Sequence, residues 1–309
     1  MSSPPLLGVV GPTASGKTDL ALALARRLPV EIVVADSRQV YRGMDVGTAK
    51  PDAAARSAVP HHLLDLVGPD EPFSVADWMA AARGAIAAIA ARGRLPLLVG
   101  GTGLYVEALL AGHDYGAQPW SPELRQRLTL ELEATGLAPL AERLRGLDPD
   151  RAARTDLRNP RRVLRALERV EAGGVPITPR GDPYPGRIAL VGLRRPRDVL
   201  YRRIDERALA LFDGGLIEEV ARLLTEGYGP ELTPMSGHGY REAAALLSGQ
   251  LRASDAVELT ARRTRQYAKR QLSWFRREPR IGWIAAGDRP GDAAEIVEEA
   301  LRLLRAAIS

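Results

Sequence analysis

The sequence predicts an α/β fold: a P-loop-type parallel sheet core with an inserted all-helical domain and a helical C-terminal part. Three observations carry this. Residues 11–18 match a phosphate-cradling loop, short apolar runs alternate with helical patterns around it, and residues 119–185 break that alternation without offering a strand.

Residues 6–10 form a continuous apolar run, the pattern of a strand buried on both faces. Gly11, Pro12, Thr13, Ala14, Ser15, Gly16, Lys17 and Thr18 then fit G-x-x-x-x-G-K-[ST], and a Leu/Ala-rich helix is predicted over 17–28. The glycines permit a tight turn that points successive N–H groups and a helix N-terminus at one anion. Lys17 adds a mobile positive charge, and Thr18 offers a hydroxyl suited to Mg²⁺. The stretch predicts binding of a di- or triphosphate.

A second buried strand is predicted over 31–36, ending in the carboxylate of Asp36, before a loop rich in Gly, Pro and polar residues over 37–72. Ser74 and Asp77 make a capping-box start for a helix reaching Arg92, with Gly93 as its stop. Residues 95–100 read as a third strand, and Thr102 begins a helix to about residue 110. Past the helical stretch, 187–193 restores a strand. Helices follow over 198–212, 216–226, 240–247 and 254–277, then a short strand over 281–284 and a helix from about 292. This reading divides the chain into a catalytic core, 1–115 with 186–309, and an inserted domain, 116–185.

Composition narrows the class. The 309 residues are 45% hydrophobic and contain no cysteine, which excludes disulfides and thiolate chemistry and fits a cytoplasmic location. No apolar run approaches the length of a membrane helix, and residues 1–5 carry no signal-peptide pattern. The net charge of +5 is unevenly placed: residues 151–207 carry +8 and 262–280 carry +7, leaving the remainder at −10. Localised basicity of this kind favours a polyanionic partner. Only 3 of the 43 basic residues are lysine (Lys17, Lys50 and Lys269), so a lysine marks a place where a compact point charge suits better than a planar fork.

Ligands of open α/β sheets lie at the carboxyl ends of strands, so Asp36 and Thr102 are expected to face the anion held by residues 11–18. An ATP-using phosphate-loop protein carries an acid after the strand that here ends Leu98, Val99, Gly100, Gly101; none is present, which disfavours a small-molecule kinase. Asp36 alone reads as a metal ligand, a general base or a turn-forming residue, with the turn the least favoured. Thr102 reads as a helix cap or as a hydroxyl between acceptor and phosphate. Arg161, Arg162 and Arg165 form a basic stripe that, as a pattern, is a solvated face. Tyr267, Trp274 and Phe275 lie among the basic residues of 262–277, with Trp274 and Phe275 expected in the core. His61 and His62 point apart on an extended segment and are poor metal ligands.

The motifs together are more specific. Besides residues 11–18, the chain holds 36–41 (DSRQVY), 44–50 (MDVGTAK), 60–63 (PHHL), 100–105 (GGTGLY), 159–167 (NPRRVLRAL), 239–242 (GYRE) and 265–271 (RQYAKRQ), in that order. This series resembles the tRNA dimethylallyltransferase, or tRNA isopentenyltransferase, family from residue 6 to about 283. The resemblance implies transfer of a dimethylallyl group from dimethylallyl diphosphate to N6 of the adenosine 3′ of the tRNA anticodon. It implies that residues 11–18 hold the diphosphate, with Thr18 near Mg²⁺, and that Asp36 activates N6. Thr102 would lie between acceptor and donor, and Arg207 would neutralise the leaving diphosphate. It further implies tRNA contacts by Asp36, Ser37, Arg38, Gln39, Arg161, Arg162, Val163, Leu164, Arg165, Gly239, Tyr240, Arg241 and Lys269. The anticodon stem-loop is the expected partner, no membrane is involved, and the chain is expected to act as a monomer. His238 stands where the family more often has an aliphatic residue.

Overall fold

The structure is a computed structural model and describes residues 3–112, 121–173, 183–287 and 292–305. The chain forms two compact units, 1–112 with 182–309, and 113–181. The first contains β1 (Leu6–Val10), α1 (Lys17–Ala25), β2 (Val30–Ala35), α2 (Ala53–Ala58), β3 (His61–His62), α3 (Val75–Ala91), β4 (Leu95–Gly100) and α4 (Gly103–Ala111). The second contains α5 (Pro122–Thr135), α6 (Leu137–Leu147), α7 (Pro149–Arg154) and α8 (Pro160–Glu171). The first then resumes with β5 (Ile188–Arg194), α9 (Arg197–Asp213), α10 (Leu216–Thr225), α11 (Tyr240–Leu247), α12 (Ala253–Phe275), β6 (Ile281–Ala285) and α13 (Asp292–Arg305).

The six strands form one parallel sheet in the order β3-β2-β4-β1-β5-β6. Side chains alternate between its faces, as the pleat requires. From β1, Leu6 and Val10 enter one core with Trp78, Leu109 and Phe275, while Leu7 and Val9 enter the other with Leu24 and Leu301. Both faces are thus covered, which is why the strands read as continuous apolar runs.

Most boundaries fall near their predicted positions, and the differences have local causes. Helix α1 ends at Ala25 rather than at 28, because Pro29 disfavours helical backbone just before it and the Arg27 and Leu28 amides both turn back to the Leu24 carbonyl. The capping box at Ser74 and Asp77 forms, with the Ser74 N–H donating to Asp77 at 2.8 Å. The predicted loop over 37–72 also holds α2, capped by Asp52, and the two-residue β3. The return to the core unit precedes the expected residue 186. Tyr184 already donates its N–H to the Leu110 carbonyl and its hydroxyl to the Pro4 carbonyl.

The inserted unit is helical throughout its described residues, with Leu128, Leu140, Leu144, Val163 and Leu167 closing its core. This corrects the basic stripe on α8. Arg161 and Arg162 are exposed, but Arg165 is half-buried and pairs with Glu168 at 3.0 Å. Val163 and Leu164 lie inside that core, so their side chains have no surface to offer a nucleic acid. Phe275 is buried as expected, whereas Trp274 is 39% exposed and does not belong to the core.

Candidate active site

A cavity of ≈ 290 Å³ lies at the carboxyl ends of β1, β2 and β4. Thr13, Lys17 and Thr18 reach it from the loop after β1, Asp36, Ser37, Arg38 and Gln39 from the end of β2, Gly100 and Gly101 from the end of β4, and Arg207 from α9. The topology brings these together because parallel strands present all their carboxyl ends on one edge.

The phosphate loop is held in place from several sides. Gly11 and Gly16 take φ of 138° and 96°, values that other residues rarely adopt. Lys17 Nζ donates to the Pro12 carbonyl at 2.7 Å. Arg203 Nε donates to the Ala14 carbonyl at 3.1 Å, and Arg195 Nε to the Ser15 carbonyl at 2.8 Å. Arg195 and Arg203 thereby place positive charge behind the loop, which raises its attraction for an anion. The Ser15 hydroxyl is buried and has no hydrogen-bond partner among the described residues.

Asp36 Oδ1 accepts the Arg38 N–H at 2.8 Å, so the turn-forming reading holds while the carboxylate also lines the cavity. The Thr102 hydroxyl does not cap α4. It accepts the Ser37 N–H at 3.0 Å and also engages Tyr267. The hydroxyl thus fastens the end of β2 to the end of β4. Burial pushes the Tyr267 phenol up to about 12, with Asp36 adding to the effect, so Tyr267 is neutral at physiological pH.

Burial, reinforced by Arg207 and opposed by Asp36, pushes Lys17 down to about 8. Arg207 is likewise lowered by burial and supported by Asp36. The cations Lys17, Arg38 and Arg207 and the carboxylate Asp36 therefore share the cavity, and an added anion relieves the repulsion between Lys17 and Arg207.

The segment after Asp36 is fixed by residues far along the chain. Glu219, on α10, accepts the N–H groups of Asp45 and Val46 at 2.8 Å each and of Gly47 at 3.2 Å, and the Tyr240 hydroxyl at 2.5 Å. Lys50, its side chain 1% exposed, donates to the Tyr41 carbonyl and to Asp45 and Asp65 at 2.5–2.7 Å. Three acceptors match the three donors of an ammonium, which accounts for a lysine in an arginine-rich chain. Gln39 donates to the carbonyls of Thr48 and Ala49 at 3.1 and 3.2 Å. Arg38 donates to the Thr233 carbonyl at 2.6 Å.

Of the other residues singled out, Gly239 and Tyr240 are buried, with the Tyr240 ring on the cavity wall, while Arg241 and Lys269 are exposed. His238 lines the cavity with its ring centroid 5.5 Å from that of Tyr267, and burial lowers its pKa. His61 and His62 do point apart: His61 donates from Nδ1 to the Val59 carbonyl and lines the cavity, whereas His62 pairs with Glu31. Sequence reasoning missed Glu219, Arg195, Arg203 and the part played by Gln271. Glu219 had a signal, since it interrupts the apolar stripe of Leu216, Val220 and Leu223 with an acid on the buried face of α10.

The IPP transferase family model matches residues 39–278, and the isopentenyl transferase model matches residues 5–60. The chain is 48% identical to the tRNA dimethylallyltransferase of Syntrophobacter fumaroxidans, covering 96% of this chain and 87% of that protein. Its identity to the Roseiflexus castenholzii tRNA dimethylallyltransferase is 47%, over 97% of both. A crystal structure of the full-length tRNA isopentenylpyrophosphate transferase of Bacillus halodurans superposes with a TM-score of 0.71 at 38% identity, covering 98% of each chain. With a phosphate loop and the strand-end Asp36 around one cavity, and with these matches along nearly its whole length, the chain belongs to the IPP transferase family.

Proposed function

We propose that the chain transfers a dimethylallyl group from dimethylallyl diphosphate to N6 of the adenosine 3′ of the anticodon in tRNA, releasing diphosphate. One observation carries the reading: a phosphate loop, the Asp36 carboxylate and an arginine, Arg207, line a single cavity that has no acid at the end of β4. That set suits departure of a diphosphate and arrival of a weakly nucleophilic amine better than phosphoryl transfer from ATP.

In the proposed reaction residues 13–18 hold the diphosphate through the Lys17 ammonium and the N–H groups of residues 14 and 16–18, the Thr13 N–H being held by Gln271. As the allylic C–O bond breaks, negative charge gathers on the leaving group. Lys17 and Arg207 then stabilise it more in the transition state than in the ground state. N6 forms the new C–N bond, and its proton passes to Asp36, whose hydrogen bond also orients the amine. Thr102, tied to Ser37 and Tyr267, keeps the acceptor side in register.

The Thr18 hydroxyl is an oxygen donor that suits Mg²⁺. Phosphate oxygens and water would supply its other ligands. When bound, it would neutralise charge on the diphosphate oxygens.

The adenine has to leave its stack to enter a cavity of this size. Exposed Arg161 and Arg162 in the inserted unit, and Arg241 and Lys269 in the core unit, are the proposed phosphate contacts. The enzyme is proposed to act as a cytoplasmic monomer, and among the described residues no helix is long and apolar enough to cross a membrane.

The test is incubation with Mg²⁺, dimethylallyl diphosphate and an unmodified adenosine-rich anticodon stem-loop, with mass analysis of the released nucleosides. Wild type is expected to yield dimethylallyladenosine, and Asp36→Ala to lose about 10²–10⁴-fold in rate, the span of general-base catalysis. Consumption of ATP with a small molecule and no prenylated nucleoside would overturn the reading.

A further inference from the structure

Gln271 stands on α12 with 6% of its surface exposed, between two loops that the proposed reaction needs at a fixed spacing. Its Oε1 accepts the Thr13 N–H at 2.9 Å, and its Nε2 donates to the Gly101 carbonyl at 2.8 Å. Thr13 belongs to the phosphate loop, and Gly101 directly precedes Thr102. The two contacts are of opposite kind, and a primary amide supplies both from one planar group, as a protonated carboxyl of the same length also would. The neighbouring backbone is shaped for this amide, since a Cβ on Gly101 would run into Nε2.

We infer that Gln271 is a positioning residue that sets the distance between the diphosphate cradle and the Thr102 hydroxyl, so that the allylic carbon and the acceptor amine meet in register. The inference rests on the prenyl-transfer reading of the site. Its consequence is specific. The cradle keeps its own glycines, Lys17 and the two arginines behind it when Gln271 is changed, so the donor still binds, while a shift of one loop against the other spoils the geometry of attack. The loss therefore falls on kcat more than on KM.

The experiment compares wild type with Gln271→Met and Gln271→Glu in the prenylation assay, with thermal unfolding recorded for each. Gln271→Met removes both hydrogen bonds at similar volume. It is expected to lower kcat by about 100-fold, with KM for dimethylallyl diphosphate within about fivefold of wild type. Gln271→Glu carries its own control. Ionised, it cannot donate to the Gly101 carbonyl; protonated, its O–H takes the place of Nε2. Its rate relative to wild type is thus expected to rise by about tenfold between pH 8 and pH 6, as the carboxyl gains its proton. Titrations common to both proteins cancel in that ratio, and misfolding of Gln271→Met would leave it readable. A wild-type kcat in folded Gln271→Met, or a flat Gln271→Glu ratio across that range, overturns the inference. Absence of product from wild type overturns the reading beneath it, and the inference with it.

Discussion

The phosphate loop and the segment from Asp36 to Ala49 form two walls of one cavity, yet they are built on different principles. The proposed anion-binding groups of the phosphate loop are backbone N–H groups, two glycines of positive φ and one lysine within eight consecutive residues, while Arg195, Arg203 and Gln271 only brace that backbone from far along the chain. The other wall has its backbone tied by Glu219 and Tyr240, which arrive about 170 to 190 residues later in the chain. Lys50 and Gln39 complete its internal bonds. An anion site can be made locally because its chemistry resides in peptide groups. A surface for a base has to be positioned by packing, and here by a buried carboxylate that satisfies three consecutive amides.

The contrast predicts that mutations will separate function from stability on one wall and join them on the other. Lys17→Ala is expected to lower kcat/KM by about 10³-fold, as for loss of one preorganised transition-state charge, without lowering the melting temperature. The stability half follows because burial disfavours the Lys17 ammonium in the unliganded protein. A large fall in melting temperature would break the comparison.

Glu219→Ala is expected to cost about 3–4 kcal/mol in urea unfolding, because three amides and a phenol lose their acceptor together. Prenylation should fail at temperatures where the protein is still mostly folded, since the acceptor wall loosens first. Gly47→Ala is a smaller version of the same disturbance. Its Cβ would meet the Tyr240 ring and Leu216, and overpacking of that kind costs about 1–3 kcal/mol. An undiminished melting temperature in either variant would show that this wall is no more dependent on packing than the phosphate loop.

The mildest probe is pH. Because Lys17 titrates near 8, affinity for dimethylallyl diphosphate should be level below pH 8 and fall above it, approaching tenfold per unit. The stability of the unliganded protein responds oppositely at this group. Between about 8 and 10.5 the unfolded chain binds more protons than the folded one, so the Lys17 contribution to stability rises with pH. Calorimetric titration and melting curves from pH 7 to 9.5 would reveal whether the two trends diverge.

The same division explains what the sequence could reveal. The strands were legible because burial on both faces leaves unbroken apolar runs, and the phosphate loop because its geometry demands glycine at fixed places. Asp36 was placeable from its strand end alone, whereas Thr102 does not line the cavity and instead bonds Ser37 and Tyr267 beside it. Trp274 was misjudged because periodicity assigns residues to a helix face without saying where that face runs out of partners. The Trp274 ring lies against Gly103, at the margin of the packed region. Val163 and Leu164 sat in a motif associated with RNA, but the amphipathic period of α8 already marked them as core. Glu219 shows the reverse case. An acid on an apolar stripe is a local inconsistency, and such inconsistencies signal a buried polar task even when the partner cannot be named.

Strand order also has a meaning in time. β1 lies between β4 and β5, so it obtains its second neighbour only after residue 188 has been made. Between the end of β4 and the start of β5 the whole inserted unit is synthesised, about 90 residues, or roughly 5–20 s of translation at ordinary speeds. During that interval the centre of the future sheet has an unpaired edge of five apolar residues, and the inserted helices are the segment emerging beside it. How quickly those helices collapse on their own leucine core sets how long the nascent chain carries an open strand.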